Sequence, residues 1–271
     1  MPRAALFQMT SGIDPAANAA AMADAAAQAS GEGAAMLFTP EMSGLLDRNR
    51  KRAASNIVTE AEDRTLAAIR EAAARHGLWI AIGSLAIARE DGRWANRAFV
   101  IDAAGQIAAR YDKLHMFDVD LDSGESWRES SAYAAGDAVV TVDTPLGKLG
   151  LTICYDIRFP ALYDALGRAG CDVIAIPAAF TVPTGKAHWH VMQRARAIEA
   201  SAFVISAAQC GDHADGRSTY GHSLVVDPWG EVLLDQGGEG AGLAVCDIDL
   251  SRIAEVRAQV PSLANRRAIP T

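Results

Sequence analysis

Cysteine is scarce in this sequence: four of 271 residues, Cys154, Cys171, Cys210 and Cys246, with no CxxC spacing among them. That excludes a zinc knuckle or a disulfide framework and predicts reduced thiols. Basic residues are also in deficit, 25 Lys and Arg against 33 Asp and Glu, for a net charge of −8. Nucleic acid and anionic membrane surfaces select a basic face, so neither is expected as a partner, and a small molecule is the better fit. No apolar run approaches the length of a membrane span, and no charged segment followed by an apolar one opens the chain, which predicts a cytoplasmic protein. There is no Pro- or Ser-rich linker, no repeat and no low-complexity tract beyond alanine enrichment. One domain over 1–271 is therefore expected, with a C-terminal tail from about residue 251 that either frays or docks on a partner subunit.

What is present is apolar material in short runs, half of the residues being hydrophobic. "AAMLFTP", "LWIAIGSLAI", "NRAFVIDAAG", "LGLTICY", "CDVIAIPAA", "AFVISAAQC", "GHSLVVDPWG" and "GLAVCDIDL" read as strands. Alanine-rich amphipathic stretches at 15–30, 61–77, 160–169 and 188–201 read as helices between them. Alternation of the two predicts an α/β fold. Turn signals at Asp91 with Gly92 and Ala104 with Gly105 add an antiparallel meander.

The stretch "LTICYDIRFP" (151–160) is unusual because an apolar strand ends on Cys154 and runs at once into Asp156 and Arg158. A packing cysteine needs no such neighbours, whereas a reactive one needs a strand end, access to solvent and charge to hold its thiolate. Glu41 after "AAMLFTP" and Lys113 after "RYD" occupy the same local position, where α/β folds place their chemistry. Each alone reads more often as a solvated charge or a helix cap, so the case rests on their combination.

Together, "FTPEMSG", "RYDKLHMFDVD" and "TICYDIRFP" resemble, in order and interval, the three signature segments of the nitrilase superfamily of carbon–nitrogen hydrolases, and the resemblance runs over nearly the whole chain. It implies a four-layer α-β-β-α sandwich with the active site at the strand ends between two sheets. It also implies a Glu41, Lys113, Cys154 triad. Cys154 would attack an amide carbon, Glu41 would take the thiol proton and return it to the departing nitrogen, and Lys113 with a backbone N–H next to Cys154 would hold the oxyanion. Water would then hydrolyse the thioester. "SWRESSAYAAGD" is similar to the family segment holding a second glutamate, assigned to Glu129 with Glu125 as the competing choice; its role would be to keep the Lys113 ammonium charged and directed.

The match of "AFTVPTGKAHWHVMQRARAIEASAFVISAAQCGDH" and "RSTYGHSLVVDPWGEV" resembles the deaminated-glutathione amidase branch, and next to it the ω-amidases of 2-oxoglutaramate and 2-oxosuccinamate. Both imply an amide substrate carrying a carboxylate. The resemblance gives that carboxylate to Arg158, with Phe180 and Thr184 lining the pocket; a guanidinium fork matches a carboxylate bidentately where a lysine does not. The competing reading pairs Arg158 with Asp156. Family members assemble as homodimers or higher even oligomers, and the apolar surplus of "IRFPALYDALGRAGCD" is consistent with that.

Rival readings remain at this point. The fold kept as a catalytically silent binding protein is one, and a Cys–His enzyme using His115 or His222 is another. His188 and His190 lie two apart on a helix and face different ways, so they do not chelate together, and His222 reads as a hydrogen-bonded structural residue. Trp189 and Trp229 read as core or interface aromatics, and Cys210 as packing near the site. The glycine-rich "GGEGAG" fails GxGxxG spacing and has no helix behind it, so it reads as a turn between two strands. No metal and no other cofactor is expected.

Overall fold

The computed structural model describes every residue except 121, 123, 125 and 269–271. Its elements run in the order β1 (Arg3–Gln8), α1 (Pro15–Gly31), β2 (Met36–Phe38), α2 (Arg50–Ala54), α3 (Arg64–His76), β3 (Trp79–Ala88), β4 (Trp94–Ile101) and β5 (Ile107–Asp112). A small ribbon, β6 (Asp118–Asp120) and β7 (Ser126–Arg128), is followed by β8 (Thr141–Thr144), β9 (Gly147–Leu151), α4 (Pro160–Arg168), β10 (Val173–Ala175) and α5 (Val182–Ala200). The remainder comprises β11 (Phe203–Ser206), β12 (Cys210–Asp212), β13 (Ser218–Tyr220), β14 (Leu224–Val226), β15 (Val232–Asp235), β16 (Gly242–Asp247) and α6 (Ser251–Gln259).

Two six-stranded sheets result, ordered β16-β1-β2-β3-β4-β5 and β15-β14-β11-β10-β9-β8. Each has a parallel core, β1-β2-β3 and β9-β10-β11, flanked by antiparallel strands. The period of two along a strand builds the layers. Ala5 and Leu37 face α1 and α3 and pack with Met22, Ala26, Leu66 and Ile69. Their neighbours Ala4, Leu6, Met36 and Phe38 face the other way, into a core shared with the second sheet. On the far side of that sheet the same core takes in Leu162 and Leu166 of α4 and Trp189 and Ala197 of α5. The α-β-β-α order of layers follows, and with it the expected sandwich.

Local signals explain most boundaries. Asp14 accepts from Ala16 N–H at 2.9 Å and caps α1, with Pro15 in its first turn. The meander β3-β4-β5 turns where the glycines predicted. Helix α5 begins at Val182, six residues before the sequence expectation, because Pro183 in a first turn costs no hydrogen bond. Gly185 inside it is required: a Cβ there would lie 2.2 Å from Tyr220 Cγ. "AFVISAAQC" divides into β11 and the start of β12.

Three expectations are corrected. The glycine-rich 237–242 segment does not turn a hairpin, since β15 and β16 belong to different sheets; it carries the chain from one to the other. The tail docks on its own chain, with Arg266 donating to Asp164 O at 3.0 Å and to Glu199 O at 3.2 Å, and Leu263 packing close to Gly167. The apolar residues Leu162, Tyr163 and Leu166 of α4, read as part of a surplus for a partner, are buried within the chain. No helix of the described residues is long and apolar enough to cross a membrane.

Candidate active site

Three strand ends deliver the predicted residues to one cleft between the sheets. Glu41 follows β2 on a loop tied down by Thr39 N–H to Ala81 O at 3.0 Å and Met42 N–H to Ser84 Oγ at 2.9 Å. Gly83 allows this loop to lie against β3, because a Cβ there would sit 2.2 Å from Thr39 O. Lys113 directly follows β5, its backbone N–H bound to Asn96 O and its carbonyl to Gly136 N–H, each at 2.9 Å. Cys154 follows β9 at the head of a single 3₁₀ turn, Cys154–Arg158, with φ of 47°, a left-handed conformation rare outside glycine. Its N–H is spent on Pro177 O at 2.8 Å, so the N–H next to it, that of Tyr155, is the one available to an oxyanion.

The side chains converge in a nearly dry centre. Glu41, Lys113 and Cys154 are 5%, 2% and 8% exposed. Lys113 Nζ donates to Glu41 Oε1 at 2.9 Å and to Glu129 Oε2 at 2.8 Å. Glu129, on a short turn after β7, also accepts from Phe117 N–H at 2.7 Å. Glu125, the competing choice, lies outside the described residues. Asn96 on β4 was not foreseen: its Nδ2 donates to Glu41 Oε1 at 2.9 Å and Glu129 Oε1 at 3.0 Å, bridging the two carboxylates. Ala179 N–H binds the other Glu41 oxygen at 3.1 Å.

These contacts set the charges. Burial pushes the Glu41 carboxyl up, but Lys113, the Cys154 thiol and Asn96 outweigh it and leave it below the ordinary value. Burial would lower Lys113, yet Glu129 and Glu41 raise it well above its usual range. Cys154 goes the other way from expectation. Burial and the adjacent Glu41 charge raise the thiol well above its ordinary range, more than Lys113 lowers it. The centre therefore holds a thiol beside a carboxylate, not a resting thiolate stabilised by charge. Such an arrangement suits proton removal during attack, with Glu41 as acceptor.

Asp156 answers the puzzle of a charge next to the nucleophile. It is fully buried and does not pair with Arg158. Its Oδ1 accepts from His115 N–H at 3.0 Å and contacts His115 Nδ1 at 2.7 Å; Oδ2 accepts from Tyr111 hydroxyl at 2.7 Å and Ile153 N–H at 2.9 Å. One carboxylate thus ties the turn bearing Cys154 to the segment bearing Lys113. His115 is engaged here, stacked on Phe159 at 3.6 Å, and does not form a pair with the thiol. His222 is not among the residues that line the cleft.

Arg158, Phe180 and Thr184 line the cleft as the resemblance implied. The Arg158 guanidinium lies 5.5 Å from the Phe180 ring centroid and 5.8 Å from that of Tyr155. Its polar contacts are His188 Nδ1 at 3.3 Å and Met192 Sδ at 3.9 Å, with no carboxylate partner among the described residues. Thr184 Oγ1 contacts Thr181 Oγ1 at 2.8 Å. Arg48, Arg50 and Arg217 also line the cleft, Arg217 being paired with Asp215 at 2.7 Å.

Comparison with known proteins decides the family. The carbon–nitrogen hydrolase family model matches residues 3–258. The chain belongs to the carbon–nitrogen hydrolase family. A deaminated glutathione amidase of Yersinia enterocolitica is 42% identical over 204 residues, 74% of this chain and 71% of that one. The NitFhit protein of C. elegans superposes with a TM-score of 0.90 at 35% identity, covering 98% of this chain, which spans 65% of that longer one. The E41Q mutant of an amidase from Nesterenkonia sp. AN1, which shows Michael addition of acrylamide at its active-site cysteine, superposes at 0.81 with 27% identity over 96% of this chain and 98% of its own. This family member is an amidase, a hydrolase of carbon–nitrogen bonds other than peptide bonds.

Proposed function

We propose that this carbon–nitrogen hydrolase, acting as one domain over 1–271, cleaves the amide of deaminated glutathione into 2-oxoglutarate and cysteinylglycine. Cys154 Sγ attacks the amide carbon while its proton passes to Glu41. Lys113 Nζ and Tyr155 N–H hold the oxyanion; Glu129 keeps Lys113 charged and aimed. Collapse breaks the C–N bond, Glu41 returns the proton to the amine of cysteinylglycine, and a 2-oxoglutaryl thioester remains on Cys154. Glu41 then deprotonates water, which attacks the thioester and restores the thiol. No metal or cofactor enters these steps.

The observation that carries the substrate reading is Arg158: a guanidinium without a carboxylate partner among the described residues, facing the cleft that holds a buried thiol, carboxylate and ammonium. An arginine so placed offers a bidentate seat for the 2-oxo acid carboxylate, with Phe180 and Thr184 forming the wall beside it. The names of the relatives support the same choice. ω-Amidase action on 2-oxoglutaramate is the second reading, since that compound presents the same carboxylate. Arg48 and Arg50, exposed where they line the cleft, favour the peptide, whose glycine carboxylate finds a cation there. A catalytically silent scaffold gains nothing from a buried carboxylate and ammonium beside a thiol.

The test compares kcat/KM for deaminated glutathione and for 2-oxoglutaramate from the 2-oxoglutarate formed. Preference for the peptide supports the reading; preference for the small amide moves the protein to the ω-amidases. Arg158→Lys keeps the charge and loses the fork, and is expected to raise KM for both. A homodimer fits the proposal through exposed Val191 and Ile198 of α5 with Trp229 and Leu233, an apolar patch at the edge of the second sheet.

A further inference from the structure

Outside the cleft, one cluster of side chains has no part in the chemistry above. His190 of α5, His222 between β13 and β14, and Asp235 at the end of β15 bring one donor atom each to within 4.8 Å of one another. His190 Nε2 lies 2.9 Å from Asp235 Oδ2, and His222 Nδ1 lies 2.9 Å from Asp235 Oδ1. We propose that His190, His222 and Asp235 form a binding site for a divalent transition-metal ion of the zinc type.

The donor set and spacing favour such an ion. Zinc binds imidazole nitrogen and carboxylate oxygen at about 2.0–2.2 Å, so donors around one ion lie about 3–4 Å apart. The two nitrogen-to-oxygen distances need open by only a fraction of an ångström, while the two imidazole nitrogens, within the 4.8 Å span of the cluster, draw together around the ion. Two imidazoles with one carboxylate select zinc, nickel or copper over magnesium or calcium, which prefer oxygen alone. Side-chain exposures of 37%, 23% and 32% leave an entry path from solvent.

The surroundings hold the donors in place. His222 sits at φ of 57°, left-handed, a conformation kept by its N–H on Gly237 O at 2.7 Å and its carbonyl under Trp189 Nε1 at 2.8 Å. Its ring stacks on Tyr220 at 4.4 Å. Asp235 Oδ1 accepts from Gly237 N–H at 2.9 Å, the sort of outer hydrogen bond that orients a ligating carboxylate. The ligands come from a helix, a strand end and the loop between two strands, so an ion would clasp α5 to the wall that contributes Ser218 and Thr219 to the cleft.

The experiment is titration of Zn²⁺ into the full chain by calorimetry, in a Cys154→Ala background so that the active-site thiol does not compete. One equivalent is expected, with a rise in Tm that grows with zinc concentration and is absent with Mg²⁺. Asp235→Asn and, separately, His222→Asn are expected to weaken binding about a hundredfold or more; asparagine tolerates the left-handed backbone at 222. The Tm of each variant without metal shows that it is folded, and His190→Gln serves if either is not. Zinc bound equally well by the variants, an equal effect of Mg²⁺, or no uptake by the parent would overturn the proposal.

Discussion

Asp112 and Lys113 are neighbours at the end of β5, and they belong to two different ionic networks. Asp112 joins Arg97 at 2.6 Å, and Arg97 and Arg110 share Glu60, all partly exposed. Lys113 points the other way, into the space between the sheets, where Glu41 and Glu129 grip it. Both networks alternate arginine or lysine with carboxylates at similar distances, so contact geometry does not separate them. Water does. The outer network is screened and contributes little per pair. The inner one has lost its solvent, so each charge depends on its partners and the loss of one leaves the others stranded.

That contrast is open to attack at several points. Lys113→Met is expected to have the largest effect: two carboxylates are left facing each other, stability falls by about 3–5 kcal/mol in denaturant titration, and kcat falls at least about a hundredfold. Glu41→Gln keeps the shape and removes the base; kcat/KM is expected to drop more than about a hundredfold while the denaturation midpoint moves little by comparison. A Cys–His enzyme would keep most of its rate. Asp156→Asn places an amide among four donor contacts and is expected to cost about 1–3 kcal/mol, with kcat lowered because the turn bearing Cys154 and the segment bearing Lys113 lose their shared anchor. Glu60→Gln in the outer network is expected to stay within about 1 kcal/mol and leave kcat unchanged.

Titration separates the buried network from the exposed one. Glu41 is depressed in the folded chain, so its contribution is full above the ordinary 4.5 and is lost as pH falls through the lower folded value. The thiol is raised above 9.0. The free enzyme's kcat/KM is therefore expected to show an acid limb below 4.5 and no thiol limb until above 9.0. An acid limb near neutrality would mean that a histidine does the work assigned to Glu41.

Sequence reading reached the strand ends that carry Glu41, Lys113 and Cys154, because apolar runs that stop on a charged or reactive residue are visible in one dimension. It also placed Glu129, Arg158, Phe180 and Thr184 at the cleft, through similarity of short segments. Asn96 escaped, since nothing in "WANRAF" distinguishes a strand asparagine that points inward from one that points out until its partners 55 and 33 positions away are known. Asp156 was noticed but misjudged: its partners Tyr111 and His115 arrive from the other sheet's end. The thiol's protonation was legible only once burial and the Glu41 contact were both on view. Similarly, two histidines 32 positions apart in the sequence meet on Asp235 only because α5 lies over β13 and β14.

The most direct test of the central claim is to quench wild-type enzyme with acid during its first turnover of deaminated glutathione and map the peptides by mass spectrometry. The account predicts a 2-oxoglutaryl thioester on Cys154, formed in a burst in the wild type and absent in Glu41→Gln. Turnover in the wild type with no adduct on Cys154, or with the adduct on another cysteine, would contradict it.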